Sequence, residues 1–306
     1  MKSSELDDLR HCQRILQSGS KSFAAAGLIL PARVRKPAAA VYAFCRVADD
    51  AVDMGSDPQR AVSELHARLD AIYADHPRSD PVDRAFCRVV HTRCIPESVP
   101  RALLEGFLWD AERRTYSDLE ALEAYCARVA SSVGVMMALL MGVRDRSVLA
   151  RACDLGLAMQ MTNICRDVGE DARAGRIYLP LDWLSAEGVD TARLRAAPRF
   201  SPELGCVVRR LLDVAAELYV RADSGISRLP GDCRPAIRAA RLVYAAIGKR
   251  IARSGYDSIS ARAHTSRLCK LGLLLRACGA LWWRPRPCDE PTRPATASLV
   301  EASGGD

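Results

Sequence analysis

Tyr42-Ala-Phe-Cys-Arg-Val-Ala-Asp-Asp-Ala-Val-Asp53 sets two carboxylates four residues apart inside an apolar run. In a helix, positions i and i+4 share a face, so Asp49 and Asp53 project side by side with Asp50 flanking them. Val41, Tyr42, Phe44, Val47, Ala48 and Val52 cover several faces of that helix. A helix apolar on several faces is buried, so the helix predicted over 37–53, with Pro37 in its first turn, belongs to the core. Neighbouring carboxylates on a buried helix repel each other, and isolated charges there are costly. Such a pair calls for a cation.

Gln160-Met-Thr-Asn-Ile-Cys-Arg-Asp-Val-Gly-Glu-Asp171 repeats the spacing with Asp167 and Asp171. Each pair follows a long apolar run, and each has a phosphate-capable arginine beside it, Arg46 and Arg166. Mg²⁺ takes one or two carboxylates and fills the rest of its shell with water and phosphate oxygens. Two facing pairs would hold a diphosphate between metal ions and assist its departure. The competing reading of either pair alone is a solvated helix face. Gln160 and Asn163, one and two turns before Asp167, would orient the metal and its waters or satisfy a buried helix contact. Tyr42, Tyr125, Tyr178 and Tyr244 would bind diphosphate, line a hydrocarbon tunnel or pack. His91 and His264 carry no partner pattern.

The rest of the chain is helical in character. It is 49% apolar with 6% aromatics, and period-two alternation is absent over any useful length, so strands are not expected. Helices are predicted near 5–18, 98–116, 118–142, 146–171, 202–228, 233–254 and 262–282, with no linker between 10 and 281. This predicts one domain over 1–283, then a disordered tail over 284–306 holding Pro285, Pro287, Pro291 and Pro294. The net charge is +7, and only five of the 44 cations are Lys. No basic run with interleaved aromatics appears, so nucleic acid is not an expected partner. Twelve cysteines form no C-x-x-C pair; in apolar helices they act as small hydrophobes, which suits a reducing cytoplasm. The N-terminal residues lack an apolar signal core, and the apolar stretch Val133 to Val143 is too short to span a bilayer.

Ser20-Lys-Ser-Phe23, the Tyr42–Asp53 stretch, Tyr125-Cys-Ala-Arg-Val-Ala-Ser-Ser-Val-Gly134, the Gln160–Asp171 stretch and Arg176-Ile-Tyr-Leu-Pro180 together resemble the squalene/phytoene synthase family. The resemblance runs from about residue 10 to 282, with the motifs in order. It implies an all-α, single-domain isoprenoid synthase fold with a central apolar cavity between the Asp-rich helices. Position by position, Asp49 and Asp53 match the first metal motif, and Asn163, Asp167 and Asp171 the second. Ser20, Ser22, Tyr42, Arg46, Gln160 and Arg166 fall where the family contacts substrate or diphosphate. Tyr244 and Arg262 match a later Tyr and Arg of the diphosphate pocket, with an interval one residue longer here. Trp109 stands before the Asp110 that the family usually shows.

The implied activity is a Mg²⁺-dependent prenyltransferase reaction, with Mn²⁺ as a substitute, joining two prenyl diphosphates head to head. The expected substrate has twenty carbons and its triene product needs no NADPH; the alternatives are fifteen-carbon synthesis and a non-catalytic assembly factor. A hydrocarbon product must leave into lipid, so a cytoplasmic chain peripheral on the inner membrane is expected, with Leu271 to Trp283 as one candidate contact. Small residues at Ala24-Ala-Ala-Gly27 and Ala38-Ala-Ala40 would either leave room for a long prenyl chain or pack two helices closely.

Overall fold

The computed structural model describes residues 3–19, 27, 29–54, 58–279, 283 and 285–305, with the backbone alone at 3, 53, 54, 58 and 267. Among these residues there is no strand. The helices are α1 (Ser3–Gly19), α2 (Ala32–Met54), α3 (Pro58–Tyr73), α4 (Pro81–Thr92), α5 (Ser98–Ala111), α6 (Leu119–Leu140) and α7 (Arg146–Arg173). There follow α8 (Leu181–Ala186), α9 (Thr191–Ala196), α10 (Pro202–Ile226), α11 (Arg234–Arg253), α12 (Arg267–Cys278) and α13 (Ala297–Ser303).

The two acid-bearing helices share α6 as a neighbour and otherwise pack on different elements. α2 packs on α1, α3, α4, α5 and the Ser132–Leu140 end of α6, whereas α7 lies along α10 and also packs on α6, α11 and α13. Asp145 starts α7 by accepting from the amides of Ser147 and Val148 at 2.9 and 3.1 Å, which satisfies two donors that a helix start leaves open. α6 contains a π-helical turn at Ala127–Ser131, and α7 crosses it at Gly156. A Cβ there would lie 2.7 Å from Ser131 Cα, so only glycine permits the approach.

Several boundaries differ from the sequence reading for identifiable reasons. α2 begins at Ala32 rather than 37, because the amides of Val34 and Arg35 both bond to Pro31 O at 2.9 Å. Pro37 then lies inside the helix. The carbonyl that its missing N–H would have served, on Arg33, accepts instead from Arg93 Nη2 at 2.9 Å. α5 stops at Ala111, not 116, because Arg113 adopts a left-handed φ of 51° and Arg114 N–H closes on Trp109 O at 3.0 Å. That turn frees Tyr116 to bury its ring.

The tail departs most from expectation. Residues 285–305 are folded onto α6, α7 and α10 rather than disordered. Arg293 pairs with the buried Glu123 at 2.7 Å, Glu290 pairs with Arg221, and Arg151 Nη2 donates to Glu290 O at 3.1 Å. Leu299 and Val300 of α13 are buried in the common core. A polar, Pro-rich composition hid these few anchors. The apolar helix Leu119–Leu140 is long enough by composition to cross a membrane, but 61% of its most apolar window is buried within the fold. It serves as a core helix. Cys12, Cys126, Cys153 and Cys165 are likewise buried in the core.

Candidate active site

On α2, Arg46 is the cation beside the first acidic motif. Its Nη2 lies 2.6 Å from an Asp50 oxygen, and its Nη1 lies 3.4 Å from Asp49 Oδ2. Asp53 follows one turn later on the same helix; its side chain, like Ser20 and Ser22 altogether, lies outside the described residues. Tyr42, one turn before Arg46, has its phenol raised by burial, with Arg46 opposing.

On α7 the second motif is gripped from two sides. Arg166 holds Asp167 through Nε at 2.8 Å and Nη2 at 2.5 Å. Arg262, arriving from the segment after α11, adds Nε at 2.7 Å and Nη2 at 3.2 Å. Burial pushes the Asp167 carboxyl up, but the two guanidiniums outweigh it and hold the group below the usual carboxylate range. Asp171 behaves oppositely. Burial, then the charge of Asp167, pushes its carboxyl up to about 7; Arg176 opposes the shift, and Asp110 and Glu170 add to it.

Tyr244 on α11 ties these groups together. Its phenol is raised by burial, eased by Arg166 and Asn163, and raised further by Asp167 and by Tyr42 of α2. Residues from α2, α7 and α11 therefore share one electrostatic neighbourhood. Gln160 orients Asn163, accepting from its Nδ2 at 3.3 Å, while Asn163 Oδ1 is buried without a hydrogen-bond partner.

Sequence reasoning left Asp110 and Tyr178 without roles, and the structure puts both beside this cluster. Asp110 Oδ1 accepts from Tyr125 Oη at 3.0 Å and from Tyr178 Oη at 2.7 Å. Those rings stack 5.2 Å apart, with the Tyr116 ring 5.1 Å from Tyr125. Their only sequence signal is an Asp at the end of an apolar helix and tyrosines in two distant motifs.

The donor set fits a hard divalent cation. Asp49, Asp167, Asp171 and Asn163 offer only oxygens. An orphaned buried amide oxygen and a carboxyl raised by burial and then by its acidic neighbour both mark a place where positive charge would be stabilising. The arginines suit the diphosphate that such a cation would accompany.

The comparisons with known proteins agree with this arrangement. The family model described as squalene/phytoene synthase matches residues 16–269. The chain is 51% identical over 305 residues to a phytoene synthase of Rhodobacter capsulatus, covering 97% of this chain and 90% of that one. It is 45% identical over 269 residues to a 15-cis-phytoene synthase of a Paracoccus species, covering 85% and 87%. Among solved structures it is similar to a dehydrosqualene synthase bound to a ligand, with a TM-score of 0.84 and 31% identity over 91% of this chain and 98% of that one. The squalene synthase HpnC of Alicyclobacillus acidocaldarius gives a TM-score of 0.78 and 26% identity over 84% and 97%. The fold is that of the isoprenoid synthases, and the chain belongs to the squalene/phytoene synthase family.

Proposed function

We propose that this chain is a phytoene synthase, a prenyltransferase that joins two geranylgeranyl diphosphates head to head through prephytoene diphosphate. The observation that carries the reading is the clasp on Asp167, where two arginines from separate segments meet an acidic helix whose Asn163 and Asp171 are left short of positive charge. The high identity to proteins named phytoene synthase supports the twenty-carbon substrate.

Asp49, Asp53, Asn163, Asp167 and Asp171 would hold Mg²⁺, or Mn²⁺ in its place. Bound metal supplies charge neutralisation of the departing diphosphate. Arg46, Arg166 and Arg262 would supply charge to its oxygens, and Tyr42 and Tyr244 would position it, with Ser20, Ser22 and Gln160 as further contacts. The allylic cation left behind is attacked by the double bond of the second donor, and loss of a proton closes the cyclopropane ring. Loss of the second diphosphate, rearrangement and loss of another proton give the triene without any reductant. Asp110, steered by the phenols of Tyr125 and Tyr178, is the nearby carboxylate that accepts a proton. Apolar walls keep water out.

The product is a hydrocarbon, and α12 presents the surface suited to delivering it. Leu268, Leu271 and Leu275 are 82, 54 and 67% exposed on one stripe, while Ala277 faces the fold. Residues 249–278 hold seven Lys or Arg against a single Asp. An apolar stripe bordered by cations fits the anionic cytoplasmic face of the inner membrane.

The metal site is tested by kinetics. Chelation should abolish turnover and Mg²⁺ restore it, and Asp49→Ala should lower kcat/KM by at least ~10²-fold with the helical circular dichroism unchanged. Turnover within a few-fold of the parent under either treatment would remove the metal clamp from the mechanism.

A further inference from the structure

Gly169 lies between Asp167 and Asp171 on α7, and the backbone of residues 257–260 rests directly on it. Its N–H donates to Ser258 O at 3.1 Å. A Cβ at 169 would lie 2.9 Å from both Ile259 Cα and Ser258 O, closer than a side-chain carbon approaches backbone. One turn later, Arg173 Nη2 donates to Ile259 O at 2.9 Å. Asp257 shapes the same turn, its Oδ1 accepting from the amides of Ile259 and Ser260 at 2.9 Å each. Ser258 and Ile259 are buried. The turn is thus fastened to α7 at two places and capped internally. Three residues after Ile259, Arg262 reaches back to Asp167 at 2.7 Å and to Glu170 at 3.5 Å.

We propose that Gly169 is a positioning residue for the reaction: by admitting the 257–260 turn to contact distance, it sets how Arg262 faces Asp167 and the diphosphate. The helix that carries the second acidic motif therefore also carries the seat for the element that brings it a cation. The interval between Tyr244 and Arg262 does not by itself fix where the guanidinium falls; the seat does. A methyl group at 169 would push the turn outward by several tenths of an ångström, a displacement large enough to misdirect a bidentate pair. The diphosphate part rests on the function proposed above, whereas the seat itself is a feature of the fold.

The test compares Gly169→Ala, Asp257→Ala and Arg262→Ala with the Gly169→Ala/Arg262→Ala double variant. Binding of inorganic diphosphate in the presence of Mg²⁺ is measured by calorimetry beside KM, kcat and melting temperature. Gly169→Ala and Asp257→Ala should each weaken inorganic diphosphate binding about tenfold and raise KM more than they lower kcat. In the Arg262→Ala background, Gly169→Ala should add less than about a twofold loss, because its effect runs through that arginine. An equal loss with and without Arg262, or diphosphate binding unchanged in both single variants, overturns the proposal. If Gly169→Ala does not fold, Asp257→Ala decides alone, since it loosens the turn without touching α7. Absence of turnover on any prenyl diphosphate would count against the proposed function, while the calorimetric comparison would still decide the positioning role.

Discussion

Asp171 shows how the site works at the scale of one residue. Burial and Asp167 raise its carboxyl from an ordinary 3.8 to about 7. The unfolded chain titrates near the ordinary value, so the protonated form's stabilising contribution is whole below about 4 and lost as pH rises through about 7. Above that, the folded protein must keep a charge where burial disfavours it. In chelator, Asp171→Asn should therefore melt close to the parent at pH 4 and several degrees above it at pH 8. Melting curves at the two pH values check this; a gap that is the same at both would assign the shift elsewhere. The acidic pairs and Arg46 and Arg166 were legible in the sequence because their spacing is local to one helix. The grip of Arg262 on Asp167 spans 95 residues, and the phenols that hold Asp110 come from 15 and 68 residues away. Such partners carry no periodicity, so only the fold brings them together.

Among the elements, α12 separates what composition tells from what packing tells. A Leu-rich helix reads as core, yet Leu268, Leu271 and Leu275 stand at i, i+3 and i+7 facing outward, and the buried position is Ala277. The expectation that Trp283 belongs to the same lipid-facing end does not fit, since Arg238 lies over its half-buried ring at 4.3 Å; Trp282 is outside the described residues. A Leu271→Asp/Leu275→Asp variant should lose at least ~10-fold in flotation with vesicles containing anionic lipid, and the parent's binding should fall with added salt. Recovery of the variant equal to the parent's would mean that α12 meets something other than a membrane. Other elements were misjudged where one residue type dominated the reading. Pro37 suggested a helix start, but Arg93 relieves the carbonyl that proline leaves unpaired, so the helix runs through it. The tail's prolines suggested disorder, but Glu290 and Arg293 answer charges buried on α10 and α6, and Leu299 and Val300 complete the core.

For the whole molecule, the all-α class and the order of the long helices were readable because apolar runs and breaks recur without period-two alternation. Substrate length was not readable, because small residues serve tunnels and tight packing equally. Here the structure divides them. Ala39 and Ala40 are fully buried in the core, which assigns them to packing, whereas among the described residues nothing lies within 4 Å of a Cβ at Gly27; Ala24, Ala25 and Ala26 lie outside the described residues. On the function proposed above, this fold with its two acidic helices joins two twenty-carbon diphosphates head to head without a reductant. Purified protein with Mg²⁺ and no NADPH, given geranylgeranyl diphosphate or farnesyl diphosphate separately, tests it by mass analysis of the extracted hydrocarbon. The expected result is a forty-carbon triene-centred product from the first substrate at a kcat/KM at least ~10-fold above that for the second. A thirty-carbon product formed in preference, or no hydrocarbon from either substrate, would contradict it.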